Sequence, residues 1–422
     1  MGSIPPAESI ELDQREVVEV IGRANTRGYK DFSDTACAPP ANTDLQQLRK
    51  AIEGFIRSNT FTDLIDTVVT FTVHGTSPDF PDLHAAMAYL MRYKIGATGK
   101  VILQLRGAGA SGAATVYTYT KNVVFEHNNN SRIFVYGAPI RSAIPTDPTA
   151  YTLTGNDVTA RGNNSAANLG MLRNKFATEL HFTGGTNVQV QGECLGTFDA
   201  LLITGDNSNA AGNPHDAGIC WSAAGAALAL KHFTDVRPAD QGVAVVGFAG
   251  DGFYIGQGGN FTTYGLGFPL VSLGNGGSGF KVNAGGKFQP QYVCLSFSNG
   301  GSGFSTWYGG WTWFDTQNNA AIYNAEHGCE CAEARANYQG VETWGNHLNG
   351  FQASSSSYIG AGGARVSNPA NTISNDGFDA AAFTMSLIIV SGISGAKNLY
   401  TPALAAGSGT SSGANAGSNI VY

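Results

Sequence analysis

Charge is scarce in this chain of 422 residues: Asp, Glu, Lys and Arg together make up 13%, about half the usual share. The 24 basic residues are outnumbered by 31 acidic ones, for a net charge of −7, and no basic stripe occurs. A phosphate-backbone partner, and so a nucleic acid, is excluded on that ground. No apolar run reaches the roughly 18 residues of a membrane span, so no membrane insertion is expected. The opening MGSIPPAESIELDQREVVEV lacks the basic and then apolar regions of a standard secretory signal. Pro6 stands where a myristoylation pattern needs Ser or Thr. The six cysteines, Cys37, Cys194, Cys220, Cys294, Cys329 and Cys331, are scattered and outline no disulfide framework. Folding in a reducing cytoplasm is the expectation. Disorder is excluded as well: 56 Gly would suit it, but 23 Phe, 16 Tyr and 5 Trp call for packed surfaces.

What is present is a repeat. NGGSGFKV begins at Asn275 and NGGSGFST at Asn299. Gly followed by Phe or a comparable core residue recurs at Gly252-Phe253, Gly279-Phe280, Gly303-Phe304, Gly328-Cys329, Gly350-Phe351 and Gly377-Phe378, at intervals of 27, 24, 25, 22 and 27 residues. A period in the twenties signals stacked turns, each burying its core only against its neighbours. Asn, Asp and Gly before the Phe predict a tight corner with positive φ. The Phe then points inward onto the Phe of the next turn. A leucine-rich repeat needs leucines that are missing. The calcium-binding nonapeptide roll needs Asp where Lys281 and Ser305 stand, so no metal is expected along this corner, and no cofactor elsewhere. GDGF at Gly250 repeats the corner and opens no phosphate loop, because no helix pattern follows it. The expected fold class is all-β: a right-handed parallel β-helix with roughly nine turns between residues 180 and 400.

Four regions follow. Residues 1–60 hold a helix in NTDLQQLRKAIEGFI, with Thr43 and Gln46 at capping-box spacing. Its Leu45, Leu48, Ile52 and Phe55 suit either a short coiled-coil seam or a helix packed on its own domain. Residues 61–150 read as a strand, TVVTFTV, then a helix with Leu83, Met87, Leu90 and Met91 on one face, then further strands. One helix among strands covers the open end of a sheet stack. Residues 151–400 form the stacked body, with the repeat taking over from about Asn156. Residues 401–422 are a small-residue-rich tail, flexible or wrapped on neighbouring chains.

The stretch FTVHGTSPDFPDLHAAMAYLMRYKI, with the later VILQL, VYTYTKNVVFEH and RIFVYGAP, resembles the start of bacteriophage tail-fibre and tailspike proteins. There a strand and an amphipathic helix cap a parallel β-helix; related caps occur in pectate-lyase-like enzymes. The resemblance covers roughly residues 65–140. It implies a homotrimer, mounted on a phage tail or baseplate protein by its N-terminal region. The β-helical body then contacts host surface polysaccharide. It also implies a virion (tail) location after assembly in the bacterial host cytoplasm.

Chemistry concentrates in FSTWYGGWTWFDTQNNAAIYNAEHGCECAEARANYQGVETWGNH. Trp307, Tyr308, Trp311, Trp313 and Trp344 are candidate ligand-binding residues, since an exposed indole stacks on a sugar ring; packing between subunits or in the core is the competing reading. Asp315, Glu326 and Glu330 are candidate catalytic acids, because glycoside hydrolysis needs two carboxylates about 5–9.5 Å apart. Glu330 follows Cys329 as Lys281 follows Phe280, Ser305 follows Phe304 and Gln352 follows Phe351, which predicts one outward column. Solvated acids balanced by Arg335 are the bland alternative. Cys329 and Cys331 face one way on a strand and are expected to be buried thiols. The function expected is glycan recognition, with glycan cleavage or a purely structural tail role as alternatives.

Overall fold

The computed structural model describes residues 63–107, 114–191, 197–206, 219–221, 227–231, 242–256, 258–264, 269–290, 293–314, 318–367, 373, 375–383, 385–389, 399–400, 410–412 and 419–421. The expected N-terminal helix and Asp315 lie outside these residues. Asp82 accepts a hydrogen bond from the Ala85 amide at 2.8 Å and so starts helix α1, Leu83–Leu90. Leu83, Ala86, Met87 and Leu90 form its buried face; Met91, expected there by spacing, is instead the C-cap residue where the helix ends, and it is exposed. This face closes one end of a continuous apolar core. Beside it lie four parallel strands, Val68–Val73, Lys100–Leu105, Ile133–Tyr136 and Thr197–Asp199.

The rest of the described chain is mostly parallel β, in three sheets. Sheet A has eight strands, from Thr115–Tyr119 to Glu342–Trp344. Sheet B has ten, from Val123–Phe125 to Leu399–Tyr400. Sheet C has nine, beginning with Ala227–Lys231. Between Leu201–Gly205 and Tyr358–Gly360 successive strands visit A, B and C in turn, so partners stand three places apart in the chain. After that, among the described strands, sheet A gains none and most partners stand two places apart. Among the described strands one pair is antiparallel: Thr410–Ser412 lies against Asn419–Val421, which itself extends sheet C. The tail thus carries two strands on its own chain.

Inside, the expected aromatic stack is present. Phe253 and Phe280 are in register with ring centroids 4.6 Å apart, and Phe280 and Phe304 follow at 5.3 Å. Cys329 and Phe351 continue the column. A second column, Phe261, Phe288, Phe314 and Tyr338, packs beside it. Each ring withdrawn from water contributes about 1.5–3 kcal/mol.

The corner between sheets A and B differs from the sequence expectation. Gly279 and Gly303 do not adopt positive φ; the left-handed residues are Gly274, Ser298, Tyr323 and Gly345, each just before an asparagine. Those asparagines, Asn275, Asn299, Asn324 and Asn346, together with Asn375, form a buried ladder. The amide and the Nδ2 of each donate to the Oδ1 of the next, at 2.8–3.2 Å. Glycine is needed at 303 for space instead: an added Cβ would stand 2.7 Å from Gly328 O and 2.9 Å from Asn324 Nδ2. The inward residue comes five positions after each ladder asparagine, which corrects the last repeat. Ala380, not Phe378, pairs with Phe351.

A second helix, α2 (Val158–Lys175), is a further correction, since the stacked repeat was expected from Asn156. Asp157 caps it through the Ala160 amide. At 18 residues it is about 27 Å long, enough to cross five or six strands. It does so in reverse of the layering. Asn156 Nδ2 meets Asp376 at 2.6 Å, Asn164 Nδ2 meets Ser298 Oγ at 3.1 Å, and Arg173 grips buried Glu179 with two bonds of 2.8 and 2.6 Å. Its face and the segment before it cover sheet A, where Leu172, Phe176 and Tyr151 pack on Leu202, Val271 and Phe297.

Candidate functional site

Among the described residues the middle strands of sheet C present exposed side chains on their outer face. Phe288, Thr312, Ala336 and Ile359 point inward and are buried, so period-two alternation sends their neighbours outward. The resulting column is Lys287, Trp311, Arg335 and Tyr358, adjacent in register. Beside it stand Trp313 and Asn337. The Trp311 and Trp313 rings stack at 5.8 Å and 22°, and Trp313 is 40% exposed. None of the nine strands of sheet C contains Asp or Glu. Neither Lys287 nor Arg335 has an ion-pair partner among the described residues.

At the corner leading from sheet B into sheet C, Trp307 meets Tyr308 edge-on at 5.6 Å. Tyr308 has φ 48° and is 53% exposed. Lys281 Nζ lies 5.0 Å from the Trp307 ring centroid, an attraction between a cation and the negative ring face. Four of the five candidate aromatics are thus brought to one corner and the sheet after it. Trp344 is placed elsewhere, on the covered face of sheet A, edge-on to Tyr323 at 5.4 Å.

Glu330 lies on the outer face of sheet B, and Glu326 precedes it at the corner leading from sheet A. Lys281, Ser305, Glu330 and Gln352 fall in one column, as their spacing predicts. Glu330 is buried, and its Oε2 accepts from Ser302 Oγ at 3.0 Å and Ser305 Oγ at 3.2 Å. Burial raises its pKa, and nearby Glu326 adds to the rise against the serine hydrogen bonds. The Trp307 indole makes no hydrogen bond of good geometry, yet it lies close enough to favour the carboxylate slightly. Ser302 Oγ lies 3.5 Å from Glu326 Oε2.

Asp251 is a buried acid that the sequence reading passed over. Its Oδ1 accepts from the Ser278 amide at 2.6 Å. Burial raises its pKa to about 6, with Lys281 opposing and Glu326 reinforcing the rise. The missed signal is positional: Asp251 holds, two residues before the inward Phe, the place of Ser278 and Ser302. Asp251 lies three strands away from Glu330 along the stack, and Glu326 adds to the rise in both. His327, in the same line, receives the Asn349 amide on Nδ1 at 3.1 Å, and burial lowers its pKa to about 4. Cys329 and Cys331 are buried, and among the described residues no group of His, Cys, Asp and Glu is arranged to hold a metal.

Comparison of the chain with protein-family models, curated proteins and solved structures finds no match.

Proposed function

We propose that sheets A, B and C wind as a right-handed parallel β-helix, and that the chain is a bacteriophage tail fibre or tailspike subunit that binds host-surface glycan. Three copies assemble in the host cytoplasm and attach to the tail or baseplate through the region before residue 63. The observation that carries this reading is the stacked Trp311–Trp313 pair on the outer face of sheet C, with Trp313 exposed and Trp311 half-buried. Flat, exposed indoles stack on sugar rings, and Asn337, Lys287 and Arg335 stand ready for the hydroxyls and other polar groups. The α1 cap and the stacked parallel sheets support it by their likeness to the tail-fibre pattern.

A second reading, glycan hydrolysis, is favoured by two buried acids with raised pKa on the outer face of sheet B and the corner before it. Asp251 and Glu330 are 7% and 8% exposed, however, so a sugar ring does not reach them in this conformation. Binding therefore takes precedence.

Adsorption of the purified protein to bacterial cells, with light scattering on the same samples, tests the proposal. Trp311→Ala and Trp313→Ala should weaken adsorption by about tenfold or more while the trimer mass holds. A wild-type protein that is a stable monomer, or that adsorbs to no bacterium, would remove the reading. Hydrolysis is read separately: release of reducing ends that Glu330→Gln abolishes would establish it, and no release would exclude it.

A further inference from the structure

The outward column of sheet C alternates cation, aromatic, cation, aromatic: Lys287, Trp311, Arg335, Tyr358. At one strand spacing per step, the two cations stand about 9.6 Å apart, and so do the two aromatic rings. That interval is close to the length of two consecutive pyranose residues. The column is also electrostatically at odds with its chain. The protein carries −7 overall, yet sheet C has no acid in any strand and two cations with no ion-pair partner among the described residues. An unpaired cation on a face made by repetition is a site for a repeating anion, because charge complementarity then recurs with the ligand's own period.

We propose that the polysaccharide held by this face is anionic, carries one carboxylate per disaccharide, and lies along the stack across successive strands of sheet C. This deepens the glycan-binding reading and rests on it. Trp311 and Tyr358 take the faces of alternate sugars, Lys287 and Arg335 take the carboxylates, and Trp313 with Asn337 holds the second edge of the chain. Arg335 offers the planar two-donor fork that fits a carboxylate. A single-stranded nucleic acid also joins aromatic stacking to cation contact, but it presents a phosphate at every nucleotide and needs a continuous basic track. Here every second position is uncharged.

The test uses the full-length protein on an array of bacterial surface polysaccharides, neutral and acidic. Each acidic member is printed intact and after carboxyl reduction to the neutral alcohol, with single-stranded DNA alongside. The expected result is binding to acidic members only, lost by about tenfold or more on carboxyl reduction and weakened by salt. Lys287→Gln and Arg335→Gln should show the same loss on intact polymers and no further loss on reduced ones. Trp313→Ala should weaken every glycan that binds. Equal or tighter binding to neutral or carboxyl-reduced polymers would overturn the anionic assignment and leave glycan recognition standing, as would glycan binding that the two cation variants leave unchanged. DNA binding as tight as the best polysaccharide would overturn it too. Failure of the wild-type protein to bind any polysaccharide would remove both readings.

Discussion

At the scale of single residues, position in the turn decides what each side chain experiences. Asp251 keeps its proton in the folded chain up to about pH 6 against an ordinary value of 3.8, because burial disfavours the carboxylate. Its contribution to stability is therefore complete below pH 3.8 and is lost as the pH rises through 6. Asp251→Asn keeps an acceptor for the Ser278 amide without the charge. It should raise stability near pH 7.5 by up to about 3 kcal/mol and give no gain below pH 3.8. Denaturant titrations at the two pH values check this; an equal effect at both would mean that folding does not raise the Asp251 pKa. His327 and His74, both lowered from 6.5 to about 4 by burial, act with the opposite slope. Their stabilisation is present above pH 6.5 and lost as the pH falls through 4. Glycines separate in the same way. Gly303→Ala meets Ala321 Cβ and Gly328 O and should cost about 2–3 kcal/mol. Gly309→Ala meets nothing within 4 Å and carries only the strain of φ 74°, about 1–2 kcal/mol. Thermal unfolding of the pair distinguishes crowding from backbone strain.

At the scale of elements, the asparagine ladder and α2 hold the turns in register. Asn299→Ala would leave the Asn275 amide and Nδ2 without their acceptor in a buried place. Each orphaned donor costs about 1–3 kcal/mol, so a loss of about 3–5 kcal/mol is expected in chemical denaturation. A loss under about 1 kcal/mol would mean that the ladder does not set the corner. This ladder shows where the sequence was legible. Phe280, Phe304 and Phe351 announce the core because large apolar side chains recurring once per turn bury themselves by stacking on one another. The column Lys281, Ser305, Glu330 and Gln352 follows from that register, and α1 from its own apolar spacing. Helix α2 was not legible because its buried stripe is Asn164, Asn168 and Leu172, and the two asparagines bond Thr152, Thr154 and Ser298 instead of adding to an apolar period. A search for apolar periodicity passes over such a helix. The final turn was misread for a related reason: Gly377-Phe378 imitates the corner, while Asn375, five residues before Ala380, marks it.

At the scale of the whole molecule, the three outer faces divide the work. Sheet A is covered by α2 and the segment before it, sheet B buries a polar column around Glu330, and sheet C turns its aromatics and cations to solvent. The proposed glycan platform and a subunit contact make different demands on that third face, because a contact between copies covers Trp311 and Trp313 whenever the protein assembles. Hydroxyl-radical footprinting of the assembled protein, alone and with a bound polysaccharide, separates the two most directly. Trp311, Trp313 and Tyr358 should stay reactive in the assembled protein and become protected only when polysaccharide is added. Protection of these residues on assembly alone, unchanged by polysaccharide, would contradict the proposed platform.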